Sequence, residues 1–152
     1  MARLSVEVCH QGSELEVTKM NEKNPFRDAP VVFSYTRAQA IEDGVLLDMT
    51  EWGRETGFRF PVACTAAVWH EYIVPPAGTE KLGQTERGGA HDMLWMLYNT
   101  IRGNRSDPKD QLLFKVLFLN AAGKHEEVTL KAHCGPGDYG EPVVTIMLPD
   151  ED

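Results

Sequence analysis

Cys9-His10 and His133-Cys134 are two pairs of thiol and imidazole side chains, the donor types that suit zinc. Their spacing matches no zinc knuckle, and neighbours on a strand point to opposite faces, so each pair offers one ligand to a shared site. No metal is therefore expected. Cys64 and His70 have the chemistry of a nucleophile and its base. If one helix carries both, six residues of separation place them about 120° apart around its axis, and they do not meet. His91-Asp92 has the chemistry of an acid/base pair, yet neighbours on a helix do not face each other and no serine or cysteine lies at a suitable local spacing. The run Gly135-Pro-Gly-Asp-Tyr-Gly140 has the glycines of an anion cradle but lacks the following helix and lysine of a phosphate loop, so it reads as a strand connection. No catalytic residue and no cofactor is assigned. An enzyme would have to assemble its site from scattered groups such as His70, Glu71, Arg87, His91 and Asp92, around a cleft roofed by the segment from Pro75 to Gly89.

A binding surface is the other possibility. Arg87, His91, Trp95, Tyr98 and Arg102 recur at steps of four, four, three and four, tracing one helix face that mixes aromatic rings with cations. Trp, Tyr and Arg dominate protein-binding hot spots because each joins a large contact area to a polar handle. These five residues are the partner-binding set expected here. The competing reading, which the usual burial of large rings favours, is that Trp95 and Tyr98 cover a second part of the core, as Trp52 and Trp69 do from shorter helices. A separate stripe of the same helix, Ala90, Met93, Leu94, Leu97 and Ile101, is apolar throughout and reads as core, with Gly103 closing the helix.

The elements that position these residues can be parsed from caps and stops. Thr36 with Gln39 forms a capping box, and Gly44 stops the first short helix. After the apolar segment Val45-Leu46-Leu47, Thr50 and Gly57 are N-cap and C-cap candidates for a second helix. Pro61 suits the first turn of a third, which places Cys64 on a helix that Pro75-Pro76 ends. The block Tyr35-Thr-Arg-Ala-Gln through Ala-Ala-Val-Trp69, together with Cys134-Gly-Pro-Gly-Asp-Tyr-Gly-Glu-Pro through Asp152, resembles an uncharacterised domain family found on bacterial plasmids and in bacteriophages. The two stretches cover a little over a third of the chain. The resemblance implies an accessory protein of a mobile genetic element and carries no catalytic residue across.

Elsewhere the pattern is that of an α+β fold. Leu4, Val6 and Val8, then Leu15 and Val17, alternate with polar neighbours around His10-Gln-Gly-Ser13, the signature of a hairpin. A linker over 20–30 and a short strand Val31 to Tyr35 follow. Pro75 to Gly89 is expected to be an exposed mobile loop. Leu112 to Leu119 and Glu127 to His133 read as strands joined at Asn120-Ala-Ala-Gly-Lys124, the second half-exposed, and the apolar run Val143 to Leu148 reads as central in the sheet. The expectation is a mostly antiparallel sheet, made of the N-terminal hairpin and the C-terminal strands, packed against one long and several short helices.

At 152 residues the chain is expected to be one domain burying about 68–70% of its unfolded surface. Its 42% hydrophobic and 25% charged residues are ordinary for a globular protein. The apolar runs are too short to span a bilayer, the first residues lack a signal peptide's apolar stretch, and three widely spaced cysteines make no disulfide framework; a cytoplasmic protein with reduced thiols is expected. A net charge of −8 argues against nucleic-acid binding, which would need Arg87, Arg102 and Arg105 to gather with lysines. DNA mimicry fits no better, because Glu42, Asp43, Asp48, Glu51 and Glu55 are interleaved with Arg37, Arg54 and Arg59. A non-catalytic protein that binds an unknown protein partner, as a regulator or counter-defence factor, is the reading that fits the resemblance and the absence of catalytic motifs.

Overall fold

A computed structural model describes residues 34–104 and 109–151. The expected N-terminal hairpin, the linker over 20–30, the Cys9-His10 pair and Arg105 lie outside the described residues, as does most of the Val31 to Tyr35 segment. Helix α1 (Arg37–Glu42) starts at the expected capping box: the Thr36 hydroxyl accepts from the Gln39 amide at 3.1 Å and the Gln39 side chain accepts from the Thr36 amide at 2.9 Å. Gly44, at φ 76°, then turns the chain into strand β1 (Leu46–Asp48). Helix α2 (Thr50–Thr56) takes Thr50 as its first residue and Met49, without a side-chain bond, as its N-cap, while the Asp48 carboxylate accepts from the Thr50 amide at 3.0 Å. The Thr50 hydroxyl is needed elsewhere. It accepts from the Val62 amide at 3.3 Å and so ties the start of α2 to the next strand.

That strand corrects the expected third helix. Val62–Thr65 is β2, and Cys64 lies on it. It pairs antiparallel with β1, Leu47 against Cys64, and parallel with β5 (Pro142–Met147), Cys64 against Ile146. Val62, Ala63 and Cys64 are all fully buried, so the run is apolar because both its faces are covered. Pro61 serves the strand by its carbonyl, which accepts from the Val144 amide at 2.9 Å and leaves the missing N–H without consequence. Thr65 then caps the short helix α3 (Ala66–Val68), which passes directly into a π-helical turn, Trp69–Ile73.

Helix α4 (Glu86–Gly103) begins a turn before Ala90, because the Thr85 hydroxyl accepts from the Gly88 amide at 3.0 Å. The loop before it is correspondingly shorter than expected, holds a 3-10 turn at Glu80–Leu82 and buries Thr79, whose hydroxyl donates to the Pro76 carbonyl. Strands β3 (Gln111–Leu119) and β4 (His125–Pro136) form the expected hairpin, with β4 longer than foreseen. The Asn120 side chain closes the turn by accepting from the Ala122 and Lys124 amides, each at 3.0 Å.

Among the described residues five strands run in the order β1-β2-β5-β4-β3, so β5 is central there as its apolar run predicts. The sheet is mixed, not mostly antiparallel: the parallel β2–β5 pair lies inside it. Parallel neighbours need a long crossover. Here that crossover comprises α3, α4 and the β3–β4 hairpin. Ala90, Met93, Leu94, Leu97 and Ile101 are buried on one face of the sheet with Phe114, Val116, Phe118, Leu130 and Ile146, and each large side chain so buried contributes about 1.5–3 kcal/mol.

Candidate functional site

The five residues of the aromatic and cationic stripe share one side of α4 but meet different surroundings. Tyr98 is turned inward. Its ring packs edge-on against Phe58, with centroids 5.8 Å apart, and over Gly57, where an added Cβ would come within 3.1 Å of the ring. Gly57 also holds φ 122°, so the C-cap of α2 is glycine for two reasons, conformation and space. Trp95 stacks on the outer side of Tyr98, centroids 6.0 Å apart and planes 19° from parallel, and remains 48% exposed. Arg102 lies over the Tyr98 ring at 5.8 Å, a cation–π contact. Arg87 donates to Glu55 of α2 at 3.0 Å, and His91 Nδ1 stands 4.0 Å from Asp92 Oδ1 at the surface. Tyr98 thus joins the edge of the core while Trp95 is held out on it.

Beside Trp95 runs a groove of about 390 Å³ lined by Asp92, Trp95 and Met96 of α4 and by Lys115, Val116 and Leu117 of β3, with His125 and Glu127 of β4 at its border. Met96 is 41% and Leu117 58% exposed. Lys115 donates to Glu127 at 2.8 Å, and this bond pushes its ammonium pKa above the ordinary value. Sequence reasoning missed Met96 and Leu117. The available signal was Lys115 in the middle of an apolar strand, a residue typical of sheet edges.

A second concavity, of about 570 Å³, opens between α1, α2 and the loop before β5, lined by Arg37, Asp48, Glu51, Arg54, Asp138 and Glu141 among others. Arg37 reaches inward to donate to Thr145 Oγ1 at 2.7 Å and to the Val144 carbonyl at 3.1 Å. Burial lowers its pKa, and the charges of Asp48, Asp138 and Glu141 act against that fall. The Gly135 to Gly140 run is the expected strand connection, but it supplies an anion instead of receiving one. The Asp138 carboxylate accepts from the Arg37 and Ala38 amides at 2.7 and 2.9 Å and so caps α1. Three of the four carboxylates are engaged in this way, with Asp48 on Thr50 and Glu141 on the Tyr139 amide. The cleft is a structural joint between the chain's two recognisable stretches.

The scattered acid/base candidates lie on two elements, the π-helical turn and α4. His70 and Glu71 lie exposed on the π-helical turn, and Arg87 and His91 lie exposed on α4. Asp92 reaches a depression under Pro75, Pro76 and Gln84, but its volume is about 40 Å³, room for little more than a water. Cys64, on its strand, is buried without exposure, and burial pushes its thiol up to about 12, with the Glu151 charge adding to the rise. Cys134 is buried while His133, next to it on β4, is half-buried on the opposite face. No three His, Cys, Asp or Glu side chains gather in metal-binding geometry among the described residues. No helix among them is long and apolar enough to cross a membrane.

No curated protein and no solved structure matches this chain. A family model matches residues 20–152, which takes in α4 and the β3–β4 hairpin as well as the two stretches that carry the sequence resemblance. The chain belongs to that family, DUF6573, a family of unknown function.

Proposed function

We propose that this protein works by binding another protein through the surface centred on Trp95, as an accessory factor of the mobile genetic element that its sequence resemblance implies, in the role of regulator or counter-defence factor. One observation carries the reading. The Trp95 indole is held half-exposed on the anchored ring of Tyr98, so a large aromatic surface is presented in a fixed orientation at little further entropic cost. Met96 and Leu117 extend it, and the Arg87–Glu55 pair and Arg102 supply a polar border. A buried aromatic centre with a polar rim is the anatomy of a binding hot spot.

The test is affinity capture of the tagged chain from bacterial lysate, with and without nuclease, beside the Trp95→Ser variant. A stoichiometric protein that survives nuclease and is lost with Trp95→Ser is the expected result. The variant should melt within a few degrees of the parent, since losing the stack costs about 0.5–1.5 kcal/mol. Capture abolished by nuclease would replace this reading with a nucleic-acid one, and a collapse of stability in the variant would return Trp95 to the core.

A further inference from the structure

We propose that the outer edge of β3 takes an added strand: an extended segment of a partner protein, apolar at alternate positions and carrying a lysine or arginine that meets Asp92. This rests on the binding reading above and specifies the chemistry of the partner. Among the described residues strand β3 ends the sheet and pairs with β4 alone, in unbroken register from Gln111 against His133 to Leu119 against His125. In an antiparallel ladder, opposed residues alternate between pairs that exchange hydrogen bonds and pairs that exchange none. The Cys134 amide donates to the Asp110 carbonyl at 2.7 Å and the Asn120 amide to the Lys124 carbonyl at 2.8 Å, bracketing the strand. The even positions, Leu112, Phe114, Val116 and Phe118, therefore bond to β4. Gln111, Leu113, Lys115, Leu117 and Leu119 direct their N–H and C=O groups away from it.

Proteins guard such edges with proline, bulges, charge or a covering element. Strand β3 has no proline, glycine or bulge, and its one charged residue, Lys115, is engaged by Glu127. A strand added about 4.8 Å from β3 would enter the groove already described. Its alternate side chains would face Trp95 and Met96 on one side and Leu113 and Leu117 on the other. Charge chooses the occupant. With Lys115 neutralised by Glu127, Asp92 leaves the groove negative, and the whole chain carries −8. A second copy would bring a like charge to the same groove, whereas a basic segment is attracted to it.

The experiment measures amide hydrogen exchange at Leu113, Lys115 and Leu117 of the full isotope-labelled chain. The probes are a synthetic peptide as long as β3 with alternating valine and lysine, a copy with glutamate for lysine, and a copy N-methylated at every backbone amide. The lysine peptide should slow exchange at these three amides by about tenfold or more, and the other two should not. Leu117→Pro removes a donor that β4 does not use and should abolish the effect in a folded protein. Asp92→Lys should transfer the preference to the glutamate peptide, and it serves alone if the proline variant fails to fold. A lysine peptide that shifts the Trp95 indole signal without slowing exchange would overturn strand addition while leaving the Trp95 binding reading intact. Exchange that slows with the protein's own concentration would overturn it in favour of a second copy, and no response to the lysine peptide would overturn it outright.

Discussion

Cys64 illustrates how far a residue's chemistry depends on where the chain places it. The thiol has a nucleophile's identity, but between β1 and β5 it is a small apolar filler whose ionisation burial resists. In the unfolded chain a thiol ionises near pH 8.5–9, so between there and about pH 12 the unfolded state releases a proton that the native state keeps. The contribution is intact below the unfolded pKa and is lost as pH rises, at up to about 1.4 kcal/mol per pH unit. Urea unfolding across this alkaline range should therefore show a steeper fall for the parent than for Cys64→Ala; parallel profiles would mean the thiol ionises freely when folded. The identity and spacing of Cys64 and His70 were legible from the residues alone. Helix geometry would hold them apart, but what separates them in the fold is a buried strand and an exposed turn.

At the scale of elements, α4 was the most legible part of the molecule and also the most divided. Its apolar stripe repeats with the helix period, and every residue assigned to that stripe is buried. The second stripe has the same period but no single fate, because Phe58 and Gly57 of the neighbouring turn receive Tyr98 while nothing described covers Trp95. Leu94→Ala should cost about 2–5 kcal/mol in urea unfolding, whereas Trp95→Ser, one residue on, should cost only the stack. Equal losses would mean that the two faces are not distinct. The β3–β4 hairpin was likewise readable from Asn120 to Lys124, whose turn chemistry is local. What the alternation in β3 left open was its position at the edge, because Leu113 and Leu117 are apolar on the face that stays exposed.

For the whole molecule, the two recognisable stretches turn out to be two sides of one joint. Residues 35–69 and 134–151 meet where Asp138 caps α1, where Arg37 crosses to Val144 and Thr145, and where Thr65 donates to Glu151 at 2.8 Å. Lys131 closes the same end by donating to the Glu151 carbonyl. Asp138→Ala, which leaves two helix-start amides without their acceptor, should lower stability by about 1–2 kcal/mol, with Asp138→Asn recovering part of the loss. No change in urea unfolding would mean that solvent serves those amides equally well. The capping box of α1, the stripe of α4 and the central place of β5 follow from rules that act within a few residues: side chains reaching nearby amides, the helix period, an unbroken apolar run. The strand at Val62–Thr65, the parallel pair that makes the sheet mixed and the outward posture of Trp95 do not follow from such rules. So short an apolar run suits a helix or a strand equally, and here the choice is made by pairing partners from far along the chain, which also set how deeply each ring is buried.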